Sequence, residues 1–175
     1  MVYVITGGPG FGKTTIVKLL AERGFPVCQE NARSLLIPHY SKDSPAIGIS
    51  VPPDFEKIVA TERVNFMTSV KPDLIAFADR GLPDQIAYSV YKKKEPSLFI
   101  VELVKSTRYA PIVFVTPPWE EIYHTDEIRQ ESFGQALEIH HQIVNAYLNY
   151  GYKIINLPLA IPEVRVKFIL NFLGI

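Results

Sequence analysis

Gly7-Gly8-Pro9-Gly10-Phe11-Gly12-Lys13-Thr14-Thr15, close to the start of the chain, restricts what this sequence can become more than any other stretch. Gly7 and Gly12-Lys13-Thr14 stand in the spacing G-x-x-x-x-G-K-[ST]; the apolar run Val2 to Thr6 precedes them and a helical apolar pattern follows. Glycines let the backbone take positive φ and turn its N–H groups inward toward a polyanion. The loop then enters a helix N-terminus, whose unpaired N–H groups and partial positive charge favour phosphate. Lys13 adds a full charge near the β and γ phosphates, the Thr14 hydroxyl is placed to ligate Mg²⁺, and Thr15 can bond the α phosphate. The nucleotide-binding set is therefore Gly8, Pro9, Gly10, Phe11, Gly12, Lys13, Thr14 and Thr15.

Such a loop hangs on the carboxyl end of a buried strand, and the rest of the chain supplies companions for it. Thr14 to Arg23 predicts a helix with Gly24 as its left-handed terminator. Strands are predicted at 25–29, 74–78, 112–115 and 153–157. Helices are predicted from Asp54 to about 70, from Asp84 to about 92, at 97–105, at 131–149 and from Pro162 onward. The helix after Asp54 carries Phe55, Ile58, Val59, Phe66, Met67 and Val70 along one stripe, with Glu62 falling into it. The closing helix carries Val164, Phe168, Ile169, Phe172 and Leu173. Alternating strands and helices imply a three-layer α/β fold with a mainly parallel five-stranded sheet and helices on both faces. Residues 1–175 read as a single domain, with 38–70 as an acceptor-side or lid insertion and 119–132 as a lid.

Lys+Arg and Asp+Glu balance at 18 each, so no overall field argues for nucleic acid or a membrane surface. No apolar run approaches the ~18 residues of a spanning helix. The single cysteine, Cys28, rules out an internal disulfide and a multi-cysteine metal site, and its apolar setting predicts a buried thiol. These points indicate a cytoplasmic protein. His140 and His141 diverge by ~100° on a helix and cannot chelate one ion, so one packs and the other faces solvent.

What stands at the other strand ends decides the chemistry. Asp79, after an apolar strand, occupies the place of a carboxylate that holds the magnesium shell or takes a proton from an attacking hydroxyl, and Arg80 beside it can clamp phosphate oxygens. Glu30 and Arg33 follow the second strand and can hold an acceptor, with Glu30 the alternative general base to Asp79. Arg129, after Asp126, can swing over the γ phosphate as a lid arginine does. Trp119, the only tryptophan, stacks on a base or acceptor ring or packs in the core.

The segments GGPGFGKTT, ENAR, FADRGLPDQIAY, TPPWEEIYHTDEIRQESF and YLNYGYKIINLP together resemble the NadR/Ttd14-type AAA family of small P-loop ATPases, and more broadly nucleoside and nicotinamide riboside kinases, from Val2 to about Phe172. The resemblance implies that Lys13, Thr14 and Thr15 bind ATP phosphates and Mg²⁺, with Asp79 joining Thr14 at the metal. It implies further that Asp79 and Arg80 belong to the catalytic centre, that Arg129 belongs to the lid, and that Asp84 and Trp119 join Glu30 and Arg33 on the acceptor side. Deoxynucleoside kinases carry Glu-Arg-Ser where this chain has Asp79-Arg80-Gly81.

Two functions follow. One is an Mg²⁺-dependent kinase moving the γ phosphate of ATP to a small, nucleoside-like hydroxyl compound. The other is a regulatory ATPase or nucleotide-dependent switch read by a protein partner. A GTPase is disfavoured because neither an Asn-Lys-x-Asp nor an Asp-x-x-Gly switch stretch is present.

Overall fold

The computed structural model describes residues 1–30, 54–124 and 131–175. In chain order the elements are β1 (Val2–Thr6), α1 (Lys13–Glu22), β2 (Val27–Cys28), α2 (Phe55–Ser69), β3 (Ala76–Asp79), α3 (Leu82–Tyr91), α4 (Leu98–Ser106), β4 (Ile112–Val115), a 3₁₀ turn at Glu120–Ile122, α5 (Phe133–Asn149), β5 (Lys153–Asn156) and α6 (Pro162–Leu173). The strands form one five-stranded sheet in the order β2-β3-β1-β4-β5, with every pairing parallel. This is the expected three-layer α/β P-loop fold.

The layers follow from the alternation of side chains along each strand. Val2 and Val4, Ala76 and Ala78, and Val113 and Val115 face one layer, where they meet Ala60 of α2, Leu82 and Ile86 of α3, Ile100 of α4 and Ile139 and Ile143 of α5. Ile5, Phe77 and Phe114 face the other layer, against Ile16, Val17 and Leu20 of α1 and Val166 and Ile169 of α6. β1 is central. Asp79 lies opposite Ile5 on one side and Phe114 opposite Ile5 on the other, so the loop leaving β1 emerges between the ends of β3 and β4. That is where the strand order reverses and open sheets form their ligand crevice.

Several expectations are corrected in detail. β2 is two residues long and lies at the sheet edge, which leaves Cys28 half-buried rather than buried. Helix α3 begins at Leu82 with Gly81 as its N-cap, so Asp84 is not the cap but the third helical residue, accepting from the Gly81 N–H at 2.9 Å. On α6 the buried face is Arg165, Val166 and Ile169, while Val164, Phe168 and Phe172 are exposed. On α2 the buried face is Val59, Ala60 and Arg63, and Ile58 is exposed. In both helices an arginine stands where the apolar period sees only a gap. The histidines behave as expected, with His140 buried and His141 exposed.

Candidate active site

Side chains from three elements brace the glycine-rich loop. Gly7 takes φ 137°, and a Cβ there would sit 2.4 Å from Thr116 Oγ1, so only glycine lets the chain turn this close to the end of β4. Gly12 takes φ 83° and is the N-cap of α1. Phe11 is fully buried, with its ring among Tyr123, Phe133 and His140, and it pins the loop to α5. Gly8 N–H donates to His140 Nδ1 at 3.3 Å. Burial, with His141 and Lys13 adding to it, lowers the His140 pKa to about 4, so the ring is neutral and its nitrogen can accept near pH 7. Arg165 Nη1 donates to Phe11 O at 3.1 Å from the opposite layer.

The ligand-facing groups point the other way. Thr14 and Thr15 are exposed at the first turn of α1. Lys13 is buried, and its Nζ donates to Gly8 O at 2.7 Å, within the loop's own curve. Burial, assisted by the positive charge of Arg80, lowers its pKa to about 7. Thr14 Oγ1 donates to Asp79 Oδ2 at 2.8 Å, which ties the loop to the end of β3. The other oxygen, Asp79 Oδ1, is buried with no hydrogen-bond partner. Burial and then Glu30 push the Asp79 carboxyl above the usual range.

Arg80 sits at the hub of a second network. It has φ 72°, a conformation that costs a non-glycine residue about 1–2 kcal/mol. Four contacts hold it there: Nε to Glu30 Oε1 at 2.8 Å, Nη1 to Asp84 Oδ1 at 3.0 Å and to Gly7 O at 3.2 Å, and the Tyr88 ring 5.3 Å from the guanidinium carbon. Asp84 is 1% exposed and saturated, accepting also from Thr6 Oγ1 at 2.6 Å, Gly81 N and Tyr147 OH at 2.6 Å. Burial pushes the Glu30 and Asp84 carboxyls up, but Arg80 outweighs it and holds both below the usual range. The structure thus brings Lys13, Thr14, Asp79, Arg80 and Glu30 together. It gives all the hydrogen-bonding capacity of Asp84 to the protein, leaving no oxygen for an acceptor.

Trp119 is placed on the phosphate-loop side. Its ring lies 4.9 Å from the guanidinium carbon of Arg165, the residue that holds Phe11 O, and its Nε1 donates to Glu121 Oε2 at 3.2 Å. Arg33, Asp126, Arg129 and the stretch 38–53 lie outside the described residues. Sequence reasoning missed Thr6, Tyr147, His140 as a loop brace, Arg165 and Arg63. The signal for the two arginines was available: each stands three or four residues from apolar positions that are buried.

Mg²⁺ fits what is present. Asp79 Oδ1 is an orphaned buried oxygen beside an exposed threonine hydroxyl, and a magnesium ion in such sites takes one or two protein oxygens along with phosphates and water. Among the described residues no group of three His, Cys, Asp or Glu could hold a metal, and no helix is long and apolar enough to cross a membrane.

The sequence matches the family described as an AAA domain over residues 2–165. No curated protein matches it. Among solved structures, a thymidylate kinase from Ehrlichia chaffeensis is similar at TM-score 0.61 and 16% identity, covering 99% of this chain and 98% of that one. A deoxyadenosine kinase from M. mycoides, solved with products, is similar at TM-score 0.66 and 13% identity, with 99% of each chain covered. NadR protein in complex with NR reaches TM-score 0.68 at 18% identity, covering 99% of this chain but only 51% of that one. At these identities the likeness is one of fold.

Proposed function

We propose, for a chain that belongs to the AAA-domain family AAA_28, that it is an ATP-dependent kinase for a small nucleoside-like metabolite. One observation carries the reading: Asp79, tied to the phosphate loop through Thr14, stands next to the Arg80–Glu30 ion pair at the neighbouring strand ends. A second carboxylate and a fixed guanidinium beside the metal-side Asp79 are the groups that a transfer to an acceptor oxygen can use. The similar structures support the reading, since two of them are a thymidylate kinase and a deoxyadenosine kinase.

In this reading Lys13, the loop N–H groups and Thr15 hold the triphosphate, and Arg80 remains fixed by Glu30 and Asp84 so that its charge is in place before substrate arrives. Mg²⁺, held through Thr14 and Asp79, would supply charge compensation on the phosphates. An acceptor oxygen forms the new bond to Pγ as the bond to the β,γ-bridging oxygen breaks, leaving ADP. The proton of an acceptor hydroxyl passes to a carboxylate. Glu30 is the better candidate, since Arg80 keeps it ionised while Asp79 is engaged with Thr14 and would be engaged with the metal. Arg129 and Arg33 complete the assignment as lid and acceptor-side cations. Incubating the protein with ATP, Mg²⁺ and a panel of nucleosides, nucleotides and ribosides, with detection of ADP and phosphorylated product, tests it. Product from at least one acceptor is expected. ADP and inorganic phosphate alone, with every acceptor, would replace the kinase with the nucleotide switch.

A further inference from the structure

Three arginines are buried among the described residues, and the fold treats them differently. Arg80 has two carboxylates, a carbonyl and an aromatic ring. Arg165 has a carbonyl and the Trp119 ring. Arg63, 7% exposed, has no hydrogen bond or ion pair with any described residue, and its Nη1 is buried without a partner. It lies on the same face of α2 as Val59 and Ala60, the face turned into the protein.

The surroundings of Arg63 fix where its charge acts. Helix α2 lies against α3, where Gln85 Nε2 donates to Glu56 O at 2.8 Å, and the charge of Arg63 on the inner face of α2 helps hold down the carboxyls of Glu30 and Asp84 and opposes the upward shifts of Cys28, Tyr109 and Tyr147. Its charge acts on the Glu30 side of the cleft. Neither carboxylate is paired with it: Glu30 Oε1 is held by Arg80, and four donors take the two oxygens of Asp84. A guanidinium offers five N–H donors, and burying it without a counter-ion opposes folding strongly. A buried arginine that forms no ion pair with a described residue, close to the carboxylates of the candidate site, is suited to receive an anion brought by substrate.

We propose that Arg63 binds an acidic group of the acceptor, a phosphate or a carboxylate, so that this site takes acid-bearing nucleoside-like acceptors in preference to their counterparts without the acid. The inference rests on the kinase reading above. With a phosphate-bearing acceptor, a phosphate oxygen can itself attack Pγ and no proton has to leave. With a carboxylate-bearing riboside, the hydroxyl attacks and its proton passes to Glu30. In both cases the bond from Pγ to the bridging oxygen breaks and ADP departs.

The test uses matched acceptor pairs with ATP and Mg²⁺: thymidine against thymidine 5′-monophosphate, adenosine against adenosine 5′-monophosphate, and nicotinamide riboside against nicotinate riboside. The nucleoside pairs isolate a phosphate and the riboside pair a carboxylate. The wild-type protein is expected to prefer the acidic member of at least one pair. Arg63→Gln is expected to raise KM for that acceptor about 100-fold while KM for ATP stays within about threefold, with Arg63→Lys in between. Phosphorylation of the members without the acid group in preference to those bearing it would overturn the proposal and leave the kinase reading standing. An equal KM increase for acceptors with and without the acid group in Arg63→Gln would overturn it too. If no acceptor is phosphorylated although ATP binds, the kinase reading itself fails. Should Arg63→Gln not fold, the wild-type preference and the KM of Arg63→Lys decide.

Discussion

The two sides of the cleft are held by different kinds of interaction. On the phosphate-loop side shape comes from the backbone: Gly7 and Gly12 at positive φ, a ring buried under the loop, and single bonds from His140 and Arg165. Of the ligand-facing groups there, Lys13 and Thr14 add one bond each, to Gly8 O and to Asp79 Oδ2. On the Glu30 side shape comes from charge: Arg80, strained at φ 72°, is kept in place by carboxylates that are kept ionised by Arg80. Function and folding are separable on the first side and entangled on the second. That difference can be broken or sharpened by experiment.

The largest effect is expected at Lys13. Removing its charge with Lys13→Ala deprives the phosphates of a buried cation and is expected to lower turnover about 10²–10³-fold. Apart from the Nζ bond to Gly8 O the brace is kept, so the melting temperature should stay within a few degrees of wild type. Loss of fold in step with loss of turnover would show that the loop depends on its own lysine, through the bond to Gly8 O, and would erase the contrast.

Asp84 is the opposing case. Asp84→Ala leaves Thr6 Oγ1, Gly81 N and Tyr147 OH without an acceptor and Arg80 with one carboxylate in place of two. Breaking a buried charged pair in this way costs about 3–5 kcal/mol. Chemical denaturation should show that loss, and turnover should fall with it because Arg80 is no longer held. A loss under about 1 kcal/mol would mean that the network is a bystander to folding.

The same difference explains how much could be read from the sequence. The phosphate loop was legible because its geometry is written in consecutive residues, and the parallel sheet because its strands are continuous apolar runs. Asp79 was legible as the polar residue that ends such a run. The rest was obscured by the way helical periodicity is counted. Val164, Phe168 and Phe172 form an apolar stripe on α6, yet the helix buries Arg165, Val166 and Ile169, about one residue's rotation away. On α2 the charged residue noticed in the stripe was Glu62, while the buried one is its neighbour Arg63. Apolar counting assigns a charge to solvent by default, and an arginine buried for a ligand violates that default. Tyr147 is buried on α5, but its hydroxyl, which completes the Asp84 network, carries no periodic signal. Trp119 sits beyond a strand end, where only tertiary packing decides which side it joins.

The smallest effect is a pH dependence, and it tests the loop side without changing a residue. With Lys13 near pKa 7 in the empty site, the group is mostly neutral at pH 8 in the folded protein and protonated in the unfolded chain, whose lysines titrate near 10.4. The unfolded state therefore binds more protons between pH 7 and 10, and Lys13's contribution to stability rises with pH across that window. Nucleotide binding reverses the preference, because a triphosphate beside Nζ favours the charged form. Binding at pH 8 should take up about one proton per nucleotide, and affinity should fall by up to about tenfold per pH unit above 7. Titration calorimetry of ATP binding in two buffers of different ionisation enthalpy reads the proton count directly, and Lys13→Ala should abolish the uptake. Buffer-independent heats at pH 8 would mean that Lys13 is already charged in the empty loop. The two sides of the cleft would then both hold fixed charges, and the contrast would survive only in the backbone.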